Sequence, residues 1–241
     1  MILIICIIVI LCILIIIMLI KTIKQISKQG FTNVHKFPKG SLHFIHIPKT
    51  GGTAIVESLK KKGLDIQPFA SHSGLVKNIS YPYVFTIIRE PTERFLSAFW
   101  HHQTLGSPDH YWNYDAPSSQ IRHFIDNPND FINALKDSTN KYHNIVNKDF
   151  NKFHHFVTQA SLLLDENDNI DPRINDIFIY SDNLSQELGL PIEKLNVTPK
   201  HQNITLTKDS LEFLKKHYKR DYEIYNYVKK NISNNKYQYE S

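Results

Sequence analysis

The chain has 241 residues, 41% of them hydrophobic, and a formal net charge of +5. That length suits one domain of ordinary size plus a tail. The lysines are scattered rather than clustered, which argues against a nucleic-acid-binding stripe. Both cysteines, Cys6 and Cys12, lie in an N-terminal apolar run, so the remainder has no disulfide, thiol nucleophile or cysteine metal site.

That run, Ile2–Ile20, is nineteen residues without a charge, close to the ~20 that cross a bilayer. A cleaved signal peptide has a shorter apolar core and a small-residue cleavage site. Here no alanine precedes Ala54 and Lys21 follows the run directly. Residues 1–20 are therefore expected to be a transmembrane anchor, residues 21–40 a basic stem, and residues 41–241 the globular domain. Lys21, Lys24 and Lys28 after the span favour a cytoplasmic domain by the positive-inside rule. Five N-x-[ST] sequons, at Asn78, Asn183, Asn196, Asn203 and Asn231, suit a lumenal one.

Leu42–Ile47 reads as a buried strand, and Thr53–Lys62 as a helix stopped by Gly63. Between them lies PKTGG, residues 48–52. Strand, glycine loop and helix form an anion cradle: free amides point out of the helix start and the helix dipole favours negative charge. Gly51 and Gly52 permit close approach, Lys49 adds a cation, and Thr50 and Thr53 add hydroxyls. The lysine precedes the glycines, unlike the nucleotide-triphosphate loop G-x-x-x-x-G-K-[ST].

Tyr83–Ile88 is a second apolar strand, followed by Arg89 and a helix with Pro91 in its first turn. Ligands bind at the carboxyl ends of strands in open α/β sheets, which is where Arg89 falls. Ser97 follows eight residues later. A guanidinium and a hydroxyl can grip a phosphate; equally, Arg89 can pair with Glu90 or Glu93 and Ser97 can be an ordinary helix-face serine. Residues 103–120 read as a long loop. Three helical stretches come next, one opened by Asn127-Pro128, then a strand at Asp176–Tyr180. Thr207 caps a long terminal helix whose stripe of Leu211, Leu214, Tyr218, Tyr222, Tyr225 and Val228 reads as core packing. Strands alternating with helices predict an α/β fold with a parallel sheet covered on both faces.

HIPKTGGT (residues 46–53) resembles the 5′-phosphosulfate loop of the PAPS-dependent sulfotransferases, in the form found in Golgi carbohydrate sulfotransferases. IREPTERFLSAF (residues 88–99) resembles their 3′-phosphate motif, a strand-end arginine with a serine eight residues on. The nearest subgroup in pattern contains the heparan and dermatan uronosyl 2-O-sulfotransferases. The match covers about residues 42–102 and is faint beyond, in IFIYSDNL and KRDYEIY. It implies a P-loop-like central parallel sheet flanked by helices and preceded by one N-terminal transmembrane helix. It also implies a type II Golgi protein with a lumenal domain, PAPS (3′-phosphoadenosine 5′-phosphosulfate) as co-substrate, a glycan acceptor and no metal. Carried onto this chain, Lys49, Thr50, Gly51, Gly52 and Thr53 would hold the 5′-phosphosulfate, and Arg89 and Ser97 the 3′-phosphate.

Sulfuryl transfer builds negative charge on the departing phosphate oxygen and requires the acceptor to lose a proton. Lys49 can neutralise the first. His72, in FASHSGL between the two motifs, is the candidate general base. It loosely resembles the subgroup's catalytic histidine segment, and read by itself it is also a turn residue beside Gly74. Glu57 and Glu90 are the nearest carboxylates to the motifs. His46 fits a structural role. His101-His102 and His154-His155 lack the spacing of a metal site. Trp100, Tyr111, Trp112 and Tyr114 either stack on sugar rings or anchor the loop, and Lys200 is placed to close over a nucleotide. Two further classes stay open: a non-catalytic PAPS-binding membrane protein and a nucleotide kinase, the latter disfavoured by the position of the lysine.

Overall fold

The structure, a computed structural model, describes residues 37–68, 75, 80–104, 125, 127–152, 154–192 and 204–232, with Ile15 and Met18. Those two are helical and exposed; the rest of the expected anchor and the stem up to residue 36 lie outside the described residues. Among the described residues no helix is long and apolar enough to cross a membrane.

The chain runs β1 (Leu42–Ile45), α1 (Gly52–Lys61), β2 (Ile66–Pro68), β3 (Val84–Ile88) and α2 (Pro91–Thr104). It continues through α3 (Pro128–Lys136), α4 (His143–Lys152), α5 (Ala160–Leu163), β4 (Asp176–Ile179), α6 (Leu184–Glu187), α7 (Lys208–His217) and α8 (Lys219–Ile232). The four strands form one sheet in the order β2-β1-β3-β4, parallel at every pairing. The fold is α/β, an all-parallel sheet flanked by helices.

Burial on both faces explains why the strands read as continuous apolar runs. All five residues of β3 are buried. Phe85 and Ile87 pack with Leu42 and Phe44 of β1, Ile55 and Leu59 of α1, and Leu184 of α6. Val84 and Ile88 face the other way, with Ile45, Leu163 of α5, and Ile224 and Val228 of α8. A separate helical core gathers α2, α3, α4 and α7 around Phe95, Phe99, Phe131, Phe150 and Phe156.

Local signals set several boundaries. Asn127 caps α3, its side chain accepting the Asn129 N–H at 2.8 Å, with Pro128 opening the helix. Thr207 caps α7 by accepting the Ser210 N–H at 3.2 Å. Gly63, at φ 75°, ends the turn after α1. The expected single terminal helix is two helices. Tyr218 leaves helical geometry at φ −96° and ψ 25°; fully buried, it sends its hydroxyl to the Phe156 carbonyl at 2.9 Å. The break falls at this buried anchor, and the stripe is shared between two cores: Leu211, Leu214, Tyr218 and Tyr222 pack with the helical core, Tyr225 and Val228 against the sheet.

Strand β2 was not expected from sequence. It has three residues and ends in a proline, and it lies at the sheet edge, the position where a residue without an N–H is tolerated.

Candidate functional site

The loop after β1 is held by contacts that account for its composition. The Thr50 hydroxyl is fully buried and donates to the Ile47 carbonyl at 2.8 Å, closing the turn across Pro48 and Lys49. Lys49 sits in the left-handed region at φ 67°, which costs a non-glycine residue about 1–2 kcal/mol. Gly51 follows at φ 78° and ψ 13° as the N-cap of α1. A Cβ on Gly51 would approach the Tyr180 ring to 2.7 Å, and one on Gly52 would approach the His46 ring to 2.1 Å. The glycine pair is thus required by neighbours that directly follow two different strands, His46 after β1 and Tyr180 after β4. His46 serves as the structural wedge of the loop.

A glycine N-cap offers no side-chain acceptor, and the first turn of α1 contains no acid. The amides of Gly52, Thr53 and Ala54 are the orphan donors that begin any helix. They open beside Lys49, with the Thr53 side chain exposed and Gly52 buried.

Arg89 follows β3 directly. Its Nη1 donates to the Lys49 carbonyl at 3.4 Å, its Nε lies 3.5 Å from Glu93 Oε2, and its guanidinium sits 4.9 Å from the Tyr180 ring centroid. Glu93 is well exposed, so that ion pair is a weak restraint. Glu90 is otherwise engaged, accepting the Glu93 N–H at 2.7 Å at the start of α2. Of the two pairings open to Arg89 in sequence, the structure contains the one with Glu93. Burial, and then the charge of Arg89, hold the Lys49 ammonium down at about 8.

Strand order brings these parts together. From β1 the chain crosses to β2 on one side, and from there it returns to β3 on the other. The reversal point lies between β1 and β3, and the crevice outside the carboxyl ends of such strands is where open α/β sheets bind ligands. Lys49 leaves β1 and Arg89 leaves β3 at that crevice.

Ser97 lies on α2, half-buried. His72, Lys200, Tyr111, Trp112 and Tyr114 lie outside the described residues. Trp100 packs on Phe99, with ring centroids 4.9 Å apart. His101 and His155 meet ring to ring at 4.8 Å, and His154 and His155 at 4.2 Å. The described residues contain no group of three or more His, Cys, Asp or Glu side chains placed to hold a metal ion. Tyr180 was missed as a site residue. Its sequence signal was its place immediately after a buried strand, the same signal that singled out Arg89.

Comparison with known proteins finds no family model, no curated relative and no solved structure that matches this chain.

Proposed function

We propose that this chain is a sulfotransferase that moves the sulfuryl group of PAPS to a hydroxyl of a glycan. One observation carries the proposal. The topological switch point of a parallel sheet joins the loop that leads into an uncapped helix start, with its Lys49, to a second cation, Arg89, whose Nη1 donates to the Lys49 carbonyl at 3.4 Å. Such an arrangement favours a ligand with more than one anionic group. The pattern of both motifs, resembling the two phosphate motifs of PAPS-dependent sulfotransferases, selects PAPS among such ligands. With it come a P-loop-like sheet, a membrane anchor at residues 1–20 and a lumenal Golgi domain.

The cradle fits a phosphosulfate in its chemistry. The amides of Gly52, Thr53 and Ala54 take the 5′-phosphate oxygens, and Lys49 serves the bridging oxygen. Thr50 contributes its backbone, because its hydroxyl hydrogen is committed to Ile47. Arg89 and Ser97 take the 3′-phosphate. The acceptor oxygen bonds to sulfur while the bond from sulfur to the bridging phosphate oxygen breaks. The hydroxyl proton passes to His72, and 3′,5′-ADP leaves with its new charge beside Lys49. Placement and electrostatics contribute most of the acceleration, as in phosphoryl transfer.

The test is binding followed by turnover. The chain should prefer 3′,5′-ADP to 5′-ADP by roughly 10–100-fold, the worth of charge-assisted bonds to one phosphate. Arg89→Ala should erase most of that preference. Equal affinity for the two nucleotides would overturn the proposal. Transfer of labelled sulfate from PAPS to a panel of glycans then distinguishes an enzyme from a non-catalytic binder of the same nucleotide.

A further inference from the structure

Arg89 is gripped by its backbone as well as by its side chain. Its N–H donates to Gln159 Oε1 at 2.9 Å, and its carbonyl accepts from Gln159 Nε2 at 2.9 Å. A primary amide presents an N–H donor beside a carbonyl acceptor, as neighbouring peptide groups of a strand do. Strand β1 ends at Ile45, opposite Thr86, so no strand residue of β1 is paired with Arg89. The Gln159 side chain supplies that neighbour, completing a ladder step for one residue beyond the end of β3.

Gln159 is itself fixed. It is 1% exposed, and its backbone N–H donates to Asp221 Oδ2 at 2.8 Å while that of Ala160 donates to Asp221 Oδ1 at 2.9 Å. Asp221 on α8 lies 3.9 Å from the guanidinium of Arg94, and both side chains are fully buried. Arg94 donates in turn to the carbonyls of His155 and Val157. A chain of buried polar contacts thus runs from Arg94 and Asp221 through Gln159 to the backbone of Arg89. Such contacts restrict geometry where they are satisfied, as they are at Gln159 and Asp221, while the buried Nε of Arg94 has no hydrogen-bond partner among the described residues.

We propose that Gln159 is the positioning residue for the 3′-phosphate site, fixing the point at which Arg89 leaves β3 so that its guanidinium can reach that phosphate. This rests on the sulfotransferase reading of the site. The amide clamp leaves the side chain of Arg89 free to choose between two anions but fixes the point from which it reaches. Losing the clamp frees that point, and the guanidinium then no longer reaches the 3′-phosphate from a fixed position. Among the described residues, the side chain of Gln159 bonds to Arg89 and its N–H to Asp221, and the α1 cradle is linked to it through Arg89 Nη1 on the Lys49 carbonyl.

The test measures dissociation constants of the full chain for 3′,5′-ADP and 5′-ADP by calorimetry. Gln159→Met keeps the volume and removes both bonds. It should lower the preference for 3′,5′-ADP by about tenfold or more while changing 5′-ADP affinity less than about twofold. In an Arg89→Ala background the same change should have no further effect on the preference, as expected for two residues acting as one unit. Gln159→Glu retains the acceptor for the Arg89 N–H and loses the donor, and its loss should be intermediate. It serves also where the methionine variant folds poorly. The readout is a ratio of two constants, so a misfolded fraction does not alter it. A preference unchanged in both variants, or an equal loss of both nucleotides, would overturn the positioning role. Absence of any preference in the unsubstituted chain would overturn the sulfotransferase reading along with it.

Discussion

The imidazole of His46 occupies the space that a side chain at residue 52 would need. A Cβ on Gly52 would lie 2.1 Å from His46 Cδ2 and 2.3 Å from Nε2. The residue after β1 and the first turn of α1 therefore interlock. Gly52→Ala should destabilise the domain by about 1–3 kcal/mol, as overpacking does, and weaken nucleotide binding with it. His46→Ala combined with Gly52→Ala should melt higher than Gly52→Ala alone, because the clash is gone. A double variant no better than the single would show that the strain lies elsewhere in the loop.

Lys49 should give nucleotide binding its pH dependence. Its folded-state pKa is lowered from 10.5 to about 8, first by burial and then by Arg89. A cation depressed in this way opposes folding while charged. The penalty is fully present below about pH 8 and is relieved as pH rises towards the unfolded value. A bound anion reverses the effect, so binding should take up a proton near pH 8 and weaken above it. Calorimetry in buffers of different ionisation enthalpy measures that uptake. Lys49→Ala should abolish it, reduce turnover more than affinity, and leave the ligand-free chain at least as stable. Proton uptake that persists in the variant would assign it to another group.

His72 is expected to take the acceptor proton. His72→Ala should lower the catalytic rate by about 10²–10⁴-fold, leave PAPS affinity nearly unchanged, and remove the acid limb of the pH–rate profile. Near-normal turnover in this variant would eliminate His72 and redirect attention to Glu57 and His101. Glu90 is a weaker substitute, because its carboxylate already caps the Glu93 amide.

The buried pair of Arg94 and Asp221 should be costly to break from either side. Asp221→Ala leaves the guanidinium of Arg94 without its carboxylate and the amides of Gln159 and Ala160 without their acceptor. The expected loss is about 3–5 kcal/mol in chemical denaturation. Asp221→Asn should cost less, because its amide oxygen still accepts one of those N–H groups. Burial pushes the Asp221 carboxyl above the usual range, against the pull of Arg94 and the two amides. A loss no greater for alanine than for asparagine would show that packing, not charge, holds this junction.

The sequence by itself determined three of the strands, several helix starts and the contents of the two loops, but neither β2 nor the break between α7 and α8. Apolar runs marked β1, β3 and β4, Asn127 and Thr207 marked two helix starts, and Pro91 opened α2. These signals are local: a cap, a glycine or a run of buried residues acts within one or two turns of itself. The strand order was decided only in the folded chain, because parallel pairing joins segments tens of residues apart and leaves little mark on either. That order puts the reversal between β1 and β3 and brings Lys49 and Arg89 to one crevice. The short edge strand β2 owes its existence to the neighbour it pairs with. Tyr180 against Gly51, Gln159 beneath Arg89 and Asp221 beneath Gln159 are contacts between residues 62–129 positions apart. Each of these side chains is ordinary where it stands in the sequence and acquires its role from what the sheet sets beside it.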